Sequence, residues 1–206
     1  MELWEIRERM ESGRLYFSDN SELIAMQQRT TELLYDFNAT RPSEAEKREQ
    51  LLGKMLAEMG KGCYVEPSMR ASWGGKNVHF GNGIYANFNL ILIDDGEIFI
   101  GDNVMIGPNV TVCTATHPIS PELRRRQAQY NLPVHIEENV WLGGGVFVMP
   151  GITIGENSVI GANSVVTKDI PANVVAVGNP CRVLRQITDE DRKFYDHRKL
   201  IDLEID

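Results

Sequence analysis

Residues 148–171 read VMPGITIGENSVIGANSVVTKDIP, and an aliphatic residue returns at every sixth position, often with glycine directly after it. A helix repeats every 3.6 residues and a strand every two, so neither gives this period. Repeats of six are typical of a parallel β-helix, in which three short strands and three corners make one triangular coil. The same spacing connects a longer set of aliphatic positions: Ile100, Ile106, Val112, Ile136, Leu142, Val148, Ile154, Ile160 and Val166.

The repeated aliphatic residues are predicted to point inward and to stack on their equivalents in neighbouring coils, about 4.8 Å away. An earlier block, Phe80, Ala86 and Leu92, keeps the period of six in another phase. The phase slips by two near 94–96, which predicts a turn or bulge there. A β-sandwich with accidental spacing is the alternative, and the length of the series disfavours it.

The segments outside the repeat have other patterns. Residues 1–61 are predicted to be helical, with one helix over Ser21–Phe37 and a second one that begins at a Ser43–Glu46 capping box and is stopped by Gly60 and Gly62. Residues 62–187 form the predicted β-helix domain. Within it, 113–133 (CTATHPISPELRRRQAQYNLP) lacks inward aliphatic residues and reads as an extruded loop, a common place for functional residues.

The tail at 188–206 is predicted to be a short C-terminal helix that Thr188 and Asp191 cap. We therefore expect a mainly β protein, built as a parallel β-helix with an N-terminal helical segment, an extruded loop and this helical tail.

Bulk composition narrows the classes of function. The chain has 206 residues and a formal net charge of −8, which argues against a general nucleic-acid binder. Its cysteines, Cys63, Cys113 and Cys181, are odd in number and lack metal-ligand spacing, so reduced thiols in a cytoplasm are the simplest expectation. No apolar run is long enough to predict a membrane span, and the N-terminus has no apolar signal core.

One histidine stands apart from the other three. His117 opens the extruded loop, and Pro118 restricts the backbone beside it. His79 and His135 precede inward aliphatic residues and should point away from the coil, while His197 lies in the charged tail. His117 is therefore the candidate for acid–base chemistry, although a loop histidine can equally be a surface residue.

Polar residues at the predicted corners and turns suggest binding sites. Several are of kinds that bind hydroxyl groups, or else form turns and caps: Asp19, Ser72, Tyr85, Asn87 and Asp95. A second group, near the last coil, is suited to an anionic ligand or else to a solvated face: Thr167, Lys168, Arg182 and Arg185. Trp141 beside Gly143–Gly145 offers a flat ring and a backbone that a long, thin cofactor can approach.

These stretches together resemble a known family. The segments GRLYFSD, PSEAEKREQLL, YANFNLILIDDGEIFIGDNVMIGPNV, THPISPELR, VWLGGG, NSVIGANSVVTKDIP and VGNPCRV are similar to the hexapeptide-repeat sugar O-acetyltransferases, above all the galactoside and maltose enzymes, with nodulation acetyltransferases as near relatives. The resemblance implies a left-handed parallel β-helix, a homotrimer with active sites between subunits, acetyl-CoA as co-substrate and no metal.

The resemblance also implies roles for individual residues. His117 matches the catalytic histidine, and Asn87 matches a residue that assists at the transition state. The positions that match or adjoin acceptor-binding residues are Asp19, Ser72, Tyr85, Asp95 and Gln129. Those that match or line the coenzyme A site are Trp141, Gly144, Ala162, Thr167, Lys168, Arg182 and Arg185. Two positions depart from the galactoside enzyme, because Gln129 replaces an apolar loop residue and Gly144 replaces a serine.

The chemistry expected from this resemblance is direct acetyl transfer to a sugar hydroxyl in a ternary complex, with His117 as general base. An acyl-enzyme on Cys113 is one alternative. A hydratase with zinc on His79, His117 and His135 is another, as is a non-catalytic scaffold. Within the acetyltransferases, antibiotic and serine acceptors also remain alternatives to sugars.

Overall fold

The N-terminal part of the protein is helical. The computed structural model describes residues 1–196 and 199–203. Asn20 starts the second helix, since its side-chain oxygen accepts hydrogen bonds from the amides of Glu22 and Leu23. The helix predicted at Ser21–Phe37 is thereby confirmed. The helices are α1 (Leu3–Glu11), α2 (Ser21–Asn38), α3 (Ala45–Met55) and α4 (Pro121–Arg125).

Both predicted ends of α3 are wrong. The capping box does not form; instead the Glu44 carboxylate accepts the amide N–H of Arg41 at 2.7 Å, and the helix begins at Ala45. The helix ends before Leu56, whose backbone is extended, well ahead of the glycines. The physical reason is strand pairing, because Glu58–Met59 joins the strand Val78–Phe80 and takes these residues out of the helix.

Most of the chain forms a parallel β-helix with three faces. The first face contains Glu58–Met59, Val78–Phe80, Ile98–Ile100, Val134–Ile136 and Thr153–Ile154. The second contains Tyr64–Val65, Tyr85–Ala86, Met105–Ile106, Trp141–Leu142, Val159–Ile160, Val174–Val177 and, antiparallel at its edge, Arg182–Gln186. The third contains Met69–Ala71, Leu90–Ile93, Thr111–Cys113, Phe147–Val148 and Val165–Val166.

The residues spaced by six form the core, as predicted. Ile106, Leu142 and Ile160 lie in register on adjacent strands and are at most 1% exposed. The phase slip is also explained by the pairing. Phe80 pairs with Ile100, 20 positions later, whereas Ile136 pairs with Ile154, 18 positions later. The longer coil accommodates its two extra residues in the turn at 94–96.

The corners of the coils are built from asparagine and glycine. Asn103, Asn139 and Asn157 have positive φ values of 57°, 57° and 60°, which asparagine tolerates better than most residues. Asn139 donates its side-chain N–H to Asn157 in the next coil at 2.8 Å. Gly107 is required for another reason, because a Cβ there would lie 2.6 Å from the amide nitrogen of Gly144.

The predicted loop leaves the coil after Thr111–Cys113 and returns to it at Val134–Ile136. It carries α4 and two strands, Ala115–Thr116 and Ala128–Asn131. The second of these strands pairs antiparallel with the N-terminal strand Tyr16–Phe17. The N-terminal segment and the loop are therefore joined by backbone hydrogen bonds.

The predicted C-terminal helix is wrong in the described part of the tail. Residues 189–193 form turns, and a hairpin of Phe194–Asp196 and Lys199–Leu200 follows. Asp191 accepts the amide N–H of Thr188 at 2.8 Å but also pairs with Arg185, so it closes a turn against the last strand instead of capping a helix. The remaining predicted tail positions, 197 (His197), 198 and 204–206, lie outside the described residues. Among the helices described, none is long and apolar enough to cross a membrane.

Asp94 holds the turn that follows the third face. Its fully buried carboxylate accepts the amide N–H groups of Trp73 at 2.7 Å and of Gly75 at 3.0 Å. Burial nevertheless dominates and raises its pKa from 3.8 to about 6. As the pH rises from about 4 to about 6, Asp94 ionises in the unfolded chain before it ionises in the folded protein. The free energy of unfolding therefore falls over this range.

Replacing Asp94 with Asn removes this titration. We expect the free energy of unfolding of the wild type, minus that of Asp94→Asn, to fall by about 2 kcal/mol between pH 4 and pH 7, since each pKa unit corresponds to about 1.4 kcal/mol and part of the change lies below pH 4. Urea titrations of both proteins across this range measure the difference, in which shared titrations cancel. A difference independent of pH would contradict the assignment.

Candidate active site

His117 lies on the extruded loop with one ring nitrogen already occupied. Its Nδ1 is 2.8 Å from the carbonyl oxygen of Ala128, and a carbonyl can only accept, so Nδ1 carries the proton. In the neutral ring, Nε2 is then the unprotonated nitrogen. The side chain is exposed within a single chain. The arrangement thus presents a basic nitrogen in a defined tautomer at the surface.

Strand pairing fixes the position of this imidazole. Ala128 is only 1% exposed and pairs with Phe17, while Thr116, the residue before His117, pairs with Tyr130. The ring is therefore held from both sides of the loop, and one side depends on the N-terminal strand. A loop without this pairing would lose the orientation of Nε2.

Asp95 and Gln129 meet near this loop. Gln129 Nε2 donates to Asp95 Oδ1 at 3.3 Å and to the hydroxyl oxygen of Tyr16. Burial raises the pKa of Asp95, although nearby donor groups of Gln129, Trp73 and Ser72 oppose the change. Burial also raises the pKa of Tyr16 to about 12. The carboxylate therefore lies in a confined, partly desolvated setting, where hydrogen bonds are strengthened.

A cavity of about 150 Å³ adjoins this pair. Ser72 follows the first strand of the third face, and its carbonyl accepts from Gln27 at 3.0 Å. Asp19 is exposed in the turn before α2. The lining residues come from the N-terminal segment, the coil and the loop: Met10, Tyr16, Ser18, Leu23, Ile24, Gln27, Trp73, Asp95 and Gln129.

Tyr85 and Asn87 lie at a different edge. Tyr85 points outward from the second face and stacks on Tyr64, with ring centroids 6.0 Å apart. Asn87 follows at the corner between the second and third faces, where its Oδ1 accepts the amide of Phe88. His117 lies beyond the opposite edge of the third face. A single chain therefore does not bring Asn87 and His117 together.

Two of the predicted coenzyme positions form a pair of amide donors. Leu142 pairs with Ile160, so Gly144 and Ala162 occupy equivalent places in adjacent coils. Within the described residues, neither amide N–H donates a hydrogen bond. Trp141 lies beside them on the second face with 49% of its surface exposed. A Cβ at Gly144 would meet Pro108 at 3.3 Å, so little room remains for the serine of the galactoside enzyme.

The predicted cationic residues differ in availability. Lys168 and Thr167 are exposed after the last strand of the third face, across that face from Ala162. Arg182 donates to the Cys181 carbonyl at 2.6 Å. Arg185 instead forms two hydrogen bonds with Asp191, at 2.7 and 2.8 Å, which raise the pKa of Arg185 and lower that of Asp191. Among the described residues, Lys168 and Arg182 have no carboxylate partner, so they are the freer charges.

The geometry disfavours two alternative chemistries. The Cys113 thiol donates to the Ala115 carbonyl at 3.1 Å, and burial raises its pKa, which opposes nucleophilic use. His79 and His135 stack on opposite faces of Phe99, with centroids 4.6 and 4.7 Å from it. With His117 on the loop, the three imidazoles do not converge on one ion, and the described residues hold no cluster suited to a metal.

Sequence reasoning missed three residues that build the site. Tyr16 and Asn131 bond to each other at 3.2 Å, and the buried Trp73 indole N–H lacks a partner within the described structure. Trp73 and Asp95 also line a second cavity, of about 250 Å³. Tyr16 stands in the stretch GRLYFSD, yet no local spacing connects it to Asn131, which lies 115 positions later.

Comparison with protein families matches both parts of the chain. The maltose acetyltransferase hexapeptide capping motif matches residues 9–60. The bacterial transferase hexapeptide repeat, in six repeats, matches residues 133–168. The first match covers the helical segment and the second covers the regular coils after the loop.

Relatives span nearly the whole chain. Galactoside O-acetyltransferases from Lactococcus lactis and Escherichia coli are 58% and 49% identical, over 95% and 91% of this chain and 95% and 92% of their own lengths. A solved galactoside acetyltransferase in complex with coenzyme A superposes with a TM-score of 0.92 at 46% identity, covering 96% of this chain and 98% of that one. A maltose O-acetyltransferase from Clostridium difficile gives 0.86 at 48% identity, covering 89% and 97%.

The match to the capping motif, the match to the hexapeptide repeat and the similarity over the whole chain all agree with the resemblance found in the sequence. This chain belongs to the hexapeptide-repeat sugar O-acetyltransferase family, which includes the galactoside and maltose enzymes.

Proposed function

We propose that this protein transfers an acetyl group from acetyl-CoA to a hydroxyl of a sugar, of the galactoside or maltose/glucose type, with His117 as general base. The observation that carries the proposal is the Nδ1–H bond to Ala128, which leaves Nε2 as an exposed base. The relatives support the reaction type, because they are named galactoside and maltose acetyltransferases and one was solved with coenzyme A.

The proposed reaction is a direct transfer in a ternary complex. A sugar hydroxyl is a weak nucleophile at neutral pH, so His117 Nε2 accepts its proton as the oxygen attacks the thioester carbonyl. The C–S bond then breaks, and the imidazolium returns the proton to the departing thiolate. Donors such as the Asn87 amide stabilise the negative charge on the carbonyl oxygen during attack. The products are the acetylated sugar and free coenzyme A.

The co-substrate fits a run of groups along the last coils. The unpaired amides of Gly144 and Ala162 provide adjacent donors for a pantetheine chain, and the exposed Trp141 ring provides an apolar wall. Lys168 and Arg182 supply positive charge for phosphates, in agreement with their lack of carboxylate partners among the described residues. We propose smaller contributions from Thr167 and from Arg185, because Asp191 already engages Arg185.

The acceptor is proposed to bind in the cavity lined by Asp95 and Gln129, with Asp19 and Ser72 around it and with Tyr85 supplied, like Asn87, by a neighbouring chain. Asp95 suits this role because it is partly desolvated and has lone pairs beyond the one that Gln129 uses. If serine or an antibiotic were the physiological acceptor, acetyl transfer to sugars would be slow. If the protein were only a scaffold, no acceptor would give turnover.

The placement of the two proposed catalytic residues supports our proposal that the protein is a homotrimer. Asn87 and His117 lie at opposite edges of the third face, so one chain supplies only half of a site. Residues that point outward from this face include the apolar Ile91, Phe147 and Val165. When three copies turn their third faces toward a common axis, the Asn87 edge of one copy meets the His117 edge of the next. The three free cysteines agree with the reducing cytoplasm that we propose as its location.

Replacing His117 with Ala should lower kcat by about 10²–10⁴-fold, because the general base is lost. Acetyl-CoA should still bind, since the proposed coenzyme contacts are elsewhere. Release of free thiol with a panel of sugars measures turnover, and calorimetric titration measures binding. His135→Ala, an exposed histidine on the first face, is the matched control. An unchanged kcat in His117→Ala would end the assignment.

Mixing two inactive variants tests whether sites form between chains. Asn87→Ala should lower kcat by about 10²–10³-fold, as expected for loss of one oxyanion donor. Co-expression of Asn87→Ala with His117→Ala should restore part of the activity, because some interfaces then combine an intact His117 with an intact Asn87. The control pairs His117→Ala with the double variant, which cannot form an intact site. Lack of restoration in mixed trimers would place both residues in one chain.

Replacing Arg182 with Ala should raise the KM for acetyl-CoA by about 10- to 100-fold, the effect of losing a charge-assisted hydrogen bond. The KM for the sugar should change much less. Arg192→Ala removes the same charge from the tail and serves as the control. Steady-state kinetics with each substrate varied in turn give both constants. Equal increases in the two KM values would show that Arg182 does not belong to the coenzyme site.

A further inference from the structure

The hydrogen bonds around Gln129 are connected in series, and the donor and the acceptor of each bond can be derived. It begins at Asn131, whose Nδ2 donates to the backbone carbonyls of Asp95 at 2.9 Å and Met10 at 3.5 Å. Carbonyl oxygens only accept, so the orientation of this amide is fixed. Asn131 Oδ1 must therefore be an acceptor, and it faces the Tyr16 hydroxyl at 3.2 Å.

The hydroxyl of Tyr16 in turn fixes the orientation of the Gln129 side-chain amide. Its hydroxyl has one proton, which goes to Asn131, so the phenol oxygen can only accept from Gln129. Tyr16 is 1% exposed, and burial raises its pKa to about 12, so it keeps its proton at neutral pH. The group that faces Tyr16 is thus the NH₂ end of the Gln129 amide. The same nitrogen donates to Asp95 Oδ1 at 3.3 Å.

Both N–H groups of Gln129 are consequently engaged, and its carbonyl oxygen Oε1 has no partner among the described residues. Gln129 and Asp95 line the same cavity of about 150 Å³. The dimensions of an amide place Oε1 within roughly 6 Å of Asp95 Oδ1. This part of the cavity wall therefore presents two neighbouring groups, a carboxylate and a carbonyl, that both accept hydrogen bonds.

We propose that Gln129 determines acceptor specificity: its Oε1 accepts a hydrogen bond from one hydroxyl of the sugar, while Asp95 accepts from the neighbouring hydroxyl. The inference rests on the proposed acetyl transfer and narrows the substrate class to sugars with two adjacent free hydroxyl groups at this end. Two hydroxyls on adjacent carbons can each donate at about 2.8 Å to acceptors spaced in this way. With an apolar residue at position 129, the second hydroxyl would have no hydrogen-bond acceptor at this part of the wall.

The test uses sugar derivatives that remove donors one at a time. The parent is methyl β-galactoside or methyl β-glucoside, whichever the wild type acetylates faster, together with its mono-deoxy and mono-O-methyl derivatives. An O-methyl group keeps an acceptor but cannot donate. We expect that at two adjacent positions of the sugar, both removal of the hydroxyl and its O-methylation lower kcat/KM by about tenfold or more. Thiol release at saturating acetyl-CoA measures this constant.

The variants assign these two positions. In Gln129→Met, the loss of kcat/KM should disappear at one of the two sugar positions. It should persist at the other position, whose hydroxyl donates to Asp95. In Tyr16→Phe the Asp95 carboxylate still accepts from the Gln129 amide and keeps its direction, so the penalty for O-methylation at the Gln129 position should persist. Gln50→Met makes the same chemical change at an exposed position of α3, away from the cavity, and should keep the wild-type pattern.

The outcomes separate this inference from the proposed function. Absence of thiol release with any sugar would contradict the acetyltransferase proposal and, with it, this inference. Acetyl transfer with the same derivative pattern in wild type and Gln129→Met would overturn only the role of Gln129. A uniform loss across all derivatives in Gln129→Met would do the same, because it would indicate a structural effect without selection.

Discussion

The close stacking of successive coils is the constraint on which the rest of this structure depends. A Cβ at Gly101, Gly107 or Gly143 would come within 2.6–2.7 Å of a backbone nitrogen in the adjacent coil, so these three corner positions admit almost nothing larger than glycine. With the corners fixed, Ile106, Leu142 and Ile160 can stack in one buried column. The same registration places the amides of Gly144 and Ala162 side by side. The proposed coenzyme positions therefore result from the same packing that stabilises the coil.

The rigid coil supplies only part of the proposed site, and the N-terminal segment supplies the rest. His117 depends on the Ala128 carbonyl, and the strand that contains Ala128 is paired with Tyr16–Phe17. Tyr16 also fixes the Gln129 amide. A capping segment usually protects the end of a repeat protein from solvent. Here the same segment orients the proposed base and the proposed acceptor wall, so the proposed mechanism couples the folding of this segment to catalysis.

The sequence predicted best what each repeat determines locally. The inward positions could be predicted because every coil makes the same contact, and the period also indicated that Asn87 follows an inward residue and that His117 lies in a loop outside the repeat. The ends of α3 and the tail could not be read, since pairing of Glu58–Met59 and the contact between Arg185 and Asp191 decide them. The link from Tyr16 to Gln129 was also out of reach, because the two residues are 113 positions apart and share no motif.

The irregular positions of the repeat are those that form the proposed acceptor wall. The coil from Phe80 to Ile100 has two extra residues, which lie in the turn at 94–96. This turn contains two adjacent carboxylates, those of Asp94 and Asp95. Asp94 turns inward and binds backbone amides, whereas Asp95 is left partly accessible in the cavity. The second irregularity, the loop, leaves the coil directly above, where Thr114 accepts the Gly96 amide at 2.8 Å. A perfectly regular coil would bury or solvate these groups, so the breaks in the period are what create a site on an otherwise uniform prism.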